Sequence, residues 1–317
     1  MKNIRYDYII YHKNCFDGFT GFVLFMNTKY HTRDIIIMPD VPSAKEPPVD
    51  IEGKNVIIID VAYKPEIIKY ISNKSKSMLY IDHHITHYEE IMKLNLKDTD
   101  KIVYDEKKSG ASLVWKTFYD KPKPLLVRYI EDNDTGTWKL KHTIHFINGL
   151  ETHYTTEPSY ENIRKWYKLL NKTEVIKMIK KGKIYDEYKT YLLKSNSKRF
   201  TIEGFPSKKI LKDFPNFFKK EGQYKVAVYN GSGCPNNSLL GKRLVDKVNC
   251  DFAFLWSYHL DRKEYVVSLR SNKVDVSEIA KIFGGGGHVL ASAFSFNHNK
   301  YDINDLFMSE SFPRSYK

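Results

Sequence analysis

The chain has 317 residues, 42% of them hydrophobic and 28% charged, and its 51 Lys and Arg against 38 Asp and Glu give a net charge of +13. This composition supports a packed core without staples and leaves room for one large domain or two ordinary ones. Three cysteines (Cys15, Cys234, Cys250) supply no disulfide framework and no apolar run reaches the length of a membrane span. The opening Met1-Lys2-Asn3-Ile4-Arg5 carries charge where a signal peptide needs a long apolar stretch. A reducing, cytoplasmic setting is expected. The positive excess favours polyanionic partners. Lys, Asn, Ile and Tyr are all abundant, as in an AT-rich coding bias, so the charge alone decides nothing.

In chain order, Ile9-Ile10-Tyr11 reads as a strand leading into His12, with Asn14, Cys15, Asp17 and Gly18 close behind. Residues 18–27 have helical spacing through Phe19, Phe22, Val23 and Met26. Pro47-Pro48 marks a loop. Val56-Ile57-Ile58-Ile59 leads into Asp60, and Met78-Leu79-Tyr80-Ile81 into Asp82-His83-His84. Residues 110–119 look helical through Leu113, Val114 and Phe118. Leu126 to Ile130 reads as another strand-like segment, delivering Glu131, Asp132 and Asp134 at its end. This alternation predicts βαβ units around a parallel sheet. Residues 160–195 read as one or two helices, with Ile176, Ile179, Ile184, Tyr188 and Leu192 at helical spacing.

Beyond them a second βα pattern begins. It comprises a strand from Tyr224, a helix at 238–248, a hairpin of 251–258 with 264–270, a helix at 275–283, and a strand at 291–296 that closes the sheet. The expected fold class is α/β in two lobes. A domain with a doubly wound, mainly parallel sheet is expected over 1–150, a helical connector over 151–198, and a smaller α/β domain over 199–317.

One Asp after an apolar run is usually an N-cap or a turn residue. Several such runs, each ending in Asp or His, are another matter. A carboxylate beside two imidazoles is costly to bury unless something binds it, and ligands of open α/β sheets sit at the carboxyl ends of the strands. Carboxylates and imidazoles without paired thiolates suit Mn, Mg, Fe or Zn, and hard oxygen ligands lean toward Mn or Mg. Five or six ligands are too many for one tetrahedral site. They suggest two cations sharing a carboxylate, as in phosphoester-cleaving centres.

The run Gly284-Gly285-Gly286-Gly287-His288 follows the helix at 275–283. Glycines there permit positive φ, expected at Gly286 in particular, and leave backbone N–H groups free to hold an anion. A plain glycine helix stop is the competing reading. No Gly-Lys-Ser or Gly-Lys-Thr follows, so the run is not a nucleotide-binding P-loop. Arg270, on the preceding apolar strand, could clamp a phosphate, or could be a solvated edge charge.

Together these segments resemble the DHH superfamily of phosphoesterases over about Tyr8 to Phe296. The carrying motifs are His12-Lys-Asn-Cys-Phe-Asp17-Gly18, Ile59-Asp60, Asp82-His83-His84 and Asn133-Asp134-Thr135-Gly136. Two more are Val267-Ser-Leu-Arg270-Ser271 and the glycine run with His288, which look like the DHH-associated substrate domain. The resemblance implies two Mn²⁺ ions, with Mg²⁺ or another divalent metal as substitutes. Asp60 would bridge them, His12 and position 15 would serve the first, and Asp17, His83 and Asp134 the second. His84 would face the scissile phosphate as binder or acid, and Asp82 would orient an imidazole. Arg270, Ser271, Gly286, Gly287 and His288 would bind substrate. Cys15 stands where the family has Asp. It is either a thiolate ligand for a softer metal or a small buried hydrophobe, and Asn14 could offer a carbonyl oxygen nearby. Asp132 competes with Asp134.

The expected activity is metal-dependent phosphodiester hydrolysis by an activated water, cutting short oligonucleotides or dinucleotides to mononucleotides at a cleft between lobes, in the manner of a nano-RNase. The alternatives are a hydrolase of cyclic dinucleotides or pyrophosphate, a long-strand exonuclease, a sugar- or nucleotide-monophosphatase acting on a substrate such as a 3′,5′-bisphosphate, and a nucleotide binder with a degenerate metal site. No membrane or obligate protein partner is implied, and a homodimer is compatible.

Overall fold

The computed structural model describes residues 4–41, 50–85, 87–234, 236–308 and 312–315. The Pro47-Pro48 loop lies outside them. The chain divides into two compact units, residues 1–186 and 187–317.

In the first unit β1 (Tyr6–His12), α1 (Phe16–Met26), β2 (His31–Asp40), β3 (Asn55–Ile59), α2 (Pro65–Lys74), β4 (Ser77–Asp82), α3 (Tyr88–Met92) and β5 (Lys101–Tyr104) follow one another. Then come α4 (Gly110–Phe118), α5 (Leu125–Asp134), α6 (Thr143–His153), α7 (Tyr160–Tyr167) and α8 (Lys172–Asn196), whose last turns belong to the second unit. The strands form one sheet in the order β2-β1-β3-β4-β5, every pair parallel. Parallel strands covered on both faces read as continuous apolar runs, which is why Val56–Ile59 shows no alternation. Ile9, Tyr11, Ile57, Ile59, Leu79 and Ile81 point into one core with α1, α4 and α5. Their neighbours Tyr8, Ile10, Val56, Ile58, Met78 and Tyr80 point into another with α2 and α3.

The segment 126–130 is a helix, not a strand. Its Leu126, Val127 and Ile130 are buried while Arg128 is exposed, a one-sided pattern that a strand covered on both faces would not accept. Pro124 stands at its N-cap, where the missing N–H is harmless.

The second unit holds β6 (Thr201–Phe205), α9 (Lys208–Asp213), β7 (Tyr224–Asn230), α10 (Asn237–Lys247), β8 (Phe252–His259), β9 (Glu264–Ser271), α11 (Val276–Ile282), β10 (Gly286–His288) and β11 (Ala291–Asn297). Its mixed sheet runs β10-β11-β9-β8-β7-β6. Among the described residues, only β7 and β8 are parallel neighbours in this sheet. The expected hairpin is β8–β9. The strand at 291–296 does not close the sheet, because half of the glycine run pairs outside it as β10.

Candidate metal centre

β1, β3 and β4 are adjacent in the first sheet and end together. β1 finishes at His12, and Asn14 (φ 57°) then turns the chain into α1, whose N-cap is Cys15 and whose first turn holds Asp17. β3 hands over to Asp60, whose φ of 64° is uncommon for a residue with a side chain. Its backbone N–H is still tied to Ile81 O at 2.8 Å. β4 ends in Asp82, followed by His83 and His84. Asp134 arrives as the last residue of α5, so the fourth contribution is a helix end.

These side chains converge. His83 Nε2 lies 3.1 Å from Asp60 Oδ1, 3.3 Å from Asp134 Oδ2 and 3.9 Å from Asp17 Oδ2. On the other side of Asp60, Oδ2 lies 3.6 Å from His12 Nδ1 and accepts the Cys15 thiol at 3.7 Å. Asp60 thus stands between two groups, His12 with Cys15 and Asp17 with His83 and Asp134, each able to bring its donor atoms within 4.8 Å of one another. The thiol faces Asp60, while Asn14 is exposed.

Two glycines allow this closeness. A Cβ on Gly18 would come 2.6 Å from the His12 carbonyl oxygen. One on Gly110 would come 2.8 Å from Asp60 Cβ and 3.1 Å from Asp17 Oδ2.

Burial, with Asp60 and Asp134 nearby, raises the Asp17 carboxyl well above the ordinary range. Burial and Asp60 also raise Asp134. Burial opposes ionisation of Asp60 too, yet His12, His83 and His84 hold its carboxyl below the ordinary range. Burial works against a charged His83, but Asp60, Asp17 and Asp134 outweigh it and push its pKa up to about 9. Burial, reinforced by Asp60 and Asp17, pushes the Cys15 thiol up.

The donor set fits divalent cations on a specific observation. His12 Nδ1, Asp60 Oδ1, His83 Nε2 and Asp134 Oδ2 are all buried, and although they face one another, none makes a well-aligned hydrogen bond among the described residues. Buried polar atoms are normally satisfied. Orphans of matching chemistry, brought together from separate elements, are what a cation would satisfy.

Asp82 and Asp132 have other tasks. Asp82 accepts from His84 Nδ1 at 2.7 Å and from the Tyr80 hydroxyl at 2.6 Å. Asp82 foremost raises the His84 pKa. Asp132 is buried and accepts from the Lys139 and Leu140 amides and the Thr137 and Thr143 hydroxyls. It ties the α5–α6 turn, so Asp134 is the residue the fold brings to the centre. Neither Tyr80 nor the start of α4 stands out in the sequence as part of a site. The Gly110 and Ala111 amides donate to Asp17 at 2.5 and 3.0 Å. Only Ser109, an N-cap type before an apolar run, signals that helix start.

In the second unit, the Arg270 guanidinium donates to Ser238 Oγ and to Leu269 O. The Ser271 hydroxyl receives the Lys273 and Val274 amides and donates to Asp251 O. Gly284 and Gly285 direct their N–H groups to Lys281 O and Ala280 O and stop α11, so half of the glycine run is a helix cap and not a free anion nest. Positive φ occurs at Gly284 and Gly287, not at the expected Gly286, which lies in β10 with open space around it. The tight position is Gly285, where a Cβ would meet Ala293 O at 2.2 Å. His288 is exposed.

No family model matches the chain. A protein of Acanthamoeba polyphaga mimivirus, described as uncharacterized protein R106, is 29% identical over 98% of this chain and 73% of its own length. The solved pGpG-specific phosphodiesterase PggH of Vibrio cholerae superposes with a TM-score of 0.51 at 12% identity, covering 93% of this chain and 95% of that one. An exopolyphosphatase-related protein of Bacteroides fragilis reaches 0.43 at 15% identity, over 92% and 88%. The chain shares the two-domain α/β fold of the Vibrio structure. Among the described residues, no helix is long and apolar enough to cross a membrane.

Proposed function

We propose that the protein is a divalent-cation-dependent phosphodiesterase that cleaves short oligonucleotides or linear dinucleotides to mononucleotides. The observation that carries this is the cluster of buried imidazole and carboxylate atoms on His12, Asp60, His83 and Asp134 that face one another without a well-aligned hydrogen bond among the described residues. His12, Cys15 and Asp60 would hold one cation, and Asp60, Asp17, His83 and Asp134 another. Mn²⁺ or Mg²⁺ fits the carboxylates, and Cys15 widens the first site toward softer metals. Bound cations would supply a water nucleophile at neutral pH and neutralise phosphate oxygens.

The chain's own residues do the rest. Asp60, the residue kept anionic, sits between both groups. Asp82 fixes the His84 ring through Nδ1, with Tyr80 fixing Asp82 in turn. His84 Nε2 has no hydrogen bond among the described residues, and a raised pKa keeps a proton there to hand to a leaving oxygen. Arg270, Gly286, Gly287 and His288 would bind nucleotide phosphate. The fold neighbour from Vibrio is described as specific for pGpG, a linear dinucleotide, which supports a substrate of that size.

The test is incubation with Mn²⁺ and a panel of two-, three-, five- and twenty-nucleotide RNA and DNA, cyclic dinucleotides and pyrophosphate, followed by chromatography. Mononucleotides released fastest from the shortest linear strands support the reading. Phosphate released from pyrophosphate alone would reject it.

A further inference from the structure

The first unit carries a basic cavity that the metal centre does not use. About 540 Å³ in volume, it is lined by Lys107, Lys108, Lys123, Arg128 and Lys139, with Glu131 and the spoken-for Asp132 as its only carboxylates among the described residues. Lys123 grips both oxygens of Glu131 at 2.8 Å, and Lys108 lies 3.9 Å from the same group. Lys107, Arg128 and Lys139 have no ion pair among the described residues and are exposed. Cations gathered this way repel one another unless an anion joins them.

The cavity adjoins the centre through the chain itself. Lys108 is two residues before Gly110, whose amide holds Asp17, so their Cα atoms are at most about 7.6 Å apart. The lining residue Thr135 directly follows Asp134.

A second feature lies within the same stretch of chain as the lining residues Thr137 and Lys139. Trp138, between the lining residues Thr137 and Lys139, is 51% exposed and held at φ 50°. A bulky residue with left-handed backbone is strained, and such strain gathers at functional sites. Here the buried Asp132 carboxylate holds the loop in that shape by accepting from residues on either side of Trp138. An exposed indole next in the chain to the unpaired Lys139 suits a nucleic-acid strand, the cations taking backbone phosphates and the ring stacking a base.

We infer that the cavity beside Trp138 is a second nucleotide subsite. It holds a phosphate and base of the substrate strand other than those at the metal centre. The inference rests on the phosphodiesterase reading for its choice of ligand, and extends it to strands longer than the cleaved unit.

The test is binding without turnover. A 5′-phosphorylated, 3′-fluorescein-labelled five-nucleotide RNA is titrated with the whole protein in EDTA, followed by fluorescence anisotropy. The Arg128→Ala/Lys139→Ala double variant is expected to bind tenfold or more weakly. Its log–log salt dependence should be shallower by about 0.7, since one phosphate neutralised on a single strand adds roughly 0.7 to the slope. Trp138→Ala should weaken binding by about five- to 150-fold, since stacking contributes about 1–3 kcal/mol per base. Quenching of tryptophan fluorescence by the unlabelled strand should shrink with it. Wild-type affinity in either variant, or no binding by the wild type, overturns the inference. Because no cation is present, these outcomes are independent of the turnover panel that judges the phosphodiesterase reading.

Discussion

Asp60 is the residue on which both halves of the centre depend. It is buried and anionic, and touches His12 and Cys15 through one oxygen and His83 through the other. Asp60→Asn keeps the shape and withdraws the charge. It should abolish turnover and lower the bound cation content measured by plasma emission, and full activity in a folded Asp60→Asn protein would remove the assignment.

The two adjacent imidazoles separate by role. His83 is surrounded by three carboxylates, whereas His84 is bound to Asp82. His83→Ala should lose cation affinity. His84→Ala should keep the cations and lose roughly 10²–10⁴ in rate if its proton is used. Equal cation loss in both would defeat that division.

The His83 pKa of about 9 adds a pH dependence. Its folded value is raised, so the protonated ring stabilises the cation-free fold below the ordinary range, and this is lost as pH rises through about 9. A cation must displace that proton. Apparent affinity should therefore climb up to about tenfold per pH unit from 7 toward 9 and then level off. Calorimetric titration in buffers of different ionisation enthalpy would detect the proton released. Affinity flat from pH 7 to 9 would contradict the His83 assignment.

At the scale of elements, α5 shows where the fold is legible in the sequence and where it is not. The strand-end motifs are legible because a parallel sheet buries its strands on both faces, and the resulting apolar runs are hard to mistake. The run 126–130 has the same composition over a short span, and only the exposed Arg128 marks it as a helix. Asp132 and Asp134 cannot be separated while the segment reads as a strand, because it is along a helix that residues two apart point to different sides. Asp132→Ala should leave four donors short of their acceptor and destabilise the fold by about 2–4 kcal/mol in urea melts. The Asp132 carboxyl is held below the ordinary range, because its hydrogen bonds to Thr143, Thr137, Lys139 and Leu140 outweigh burial. Its stabilisation is present above the ordinary range and is lost as pH falls through the folded value.

The glycine run is legible as a stop after a helix but not residue by residue, since the close approach of β11 is a tertiary contact. Gly285→Ala should cost about 1–3 kcal/mol or more through overpacking, whereas Gly286→Ala, with open space around it, should leave the thermal midpoint nearly unchanged. The reverse order would contradict the strand packing.

Across the whole molecule, each unit has its own core. The sheet of the first is packed by α1, α4 and α5 on one side and α2 and α3 on the other. The sheet of the second has separate clusters built on Phe205, Phe252 and Phe254 and on Leu240, Leu244 and Val245. All the candidate cation ligands lie in residues 1–186. Without a cation, that unit carries raised carboxyls and buried imidazole and carboxylate atoms without well-aligned hydrogen bonds at its centre, which a ligand of the folded state would relieve. Binding at 100 times the dissociation constant contributes about 2.7 kcal/mol. For a unit of this size that corresponds to a rise of about 5–10 °C in melting temperature. Calorimetric scans in EDTA and in excess Mn²⁺ should therefore show one transition, that of residues 1–186, moving upward while the other stays in place. Asp60→Asn should hold the first transition at its EDTA position in both buffers, and Arg270→Ala should leave the Mn²⁺ shift intact. A shift that survives in Asp60→Asn, or that appears only in the second transition, would place the cations somewhere other than the ends of β1, β3 and β4.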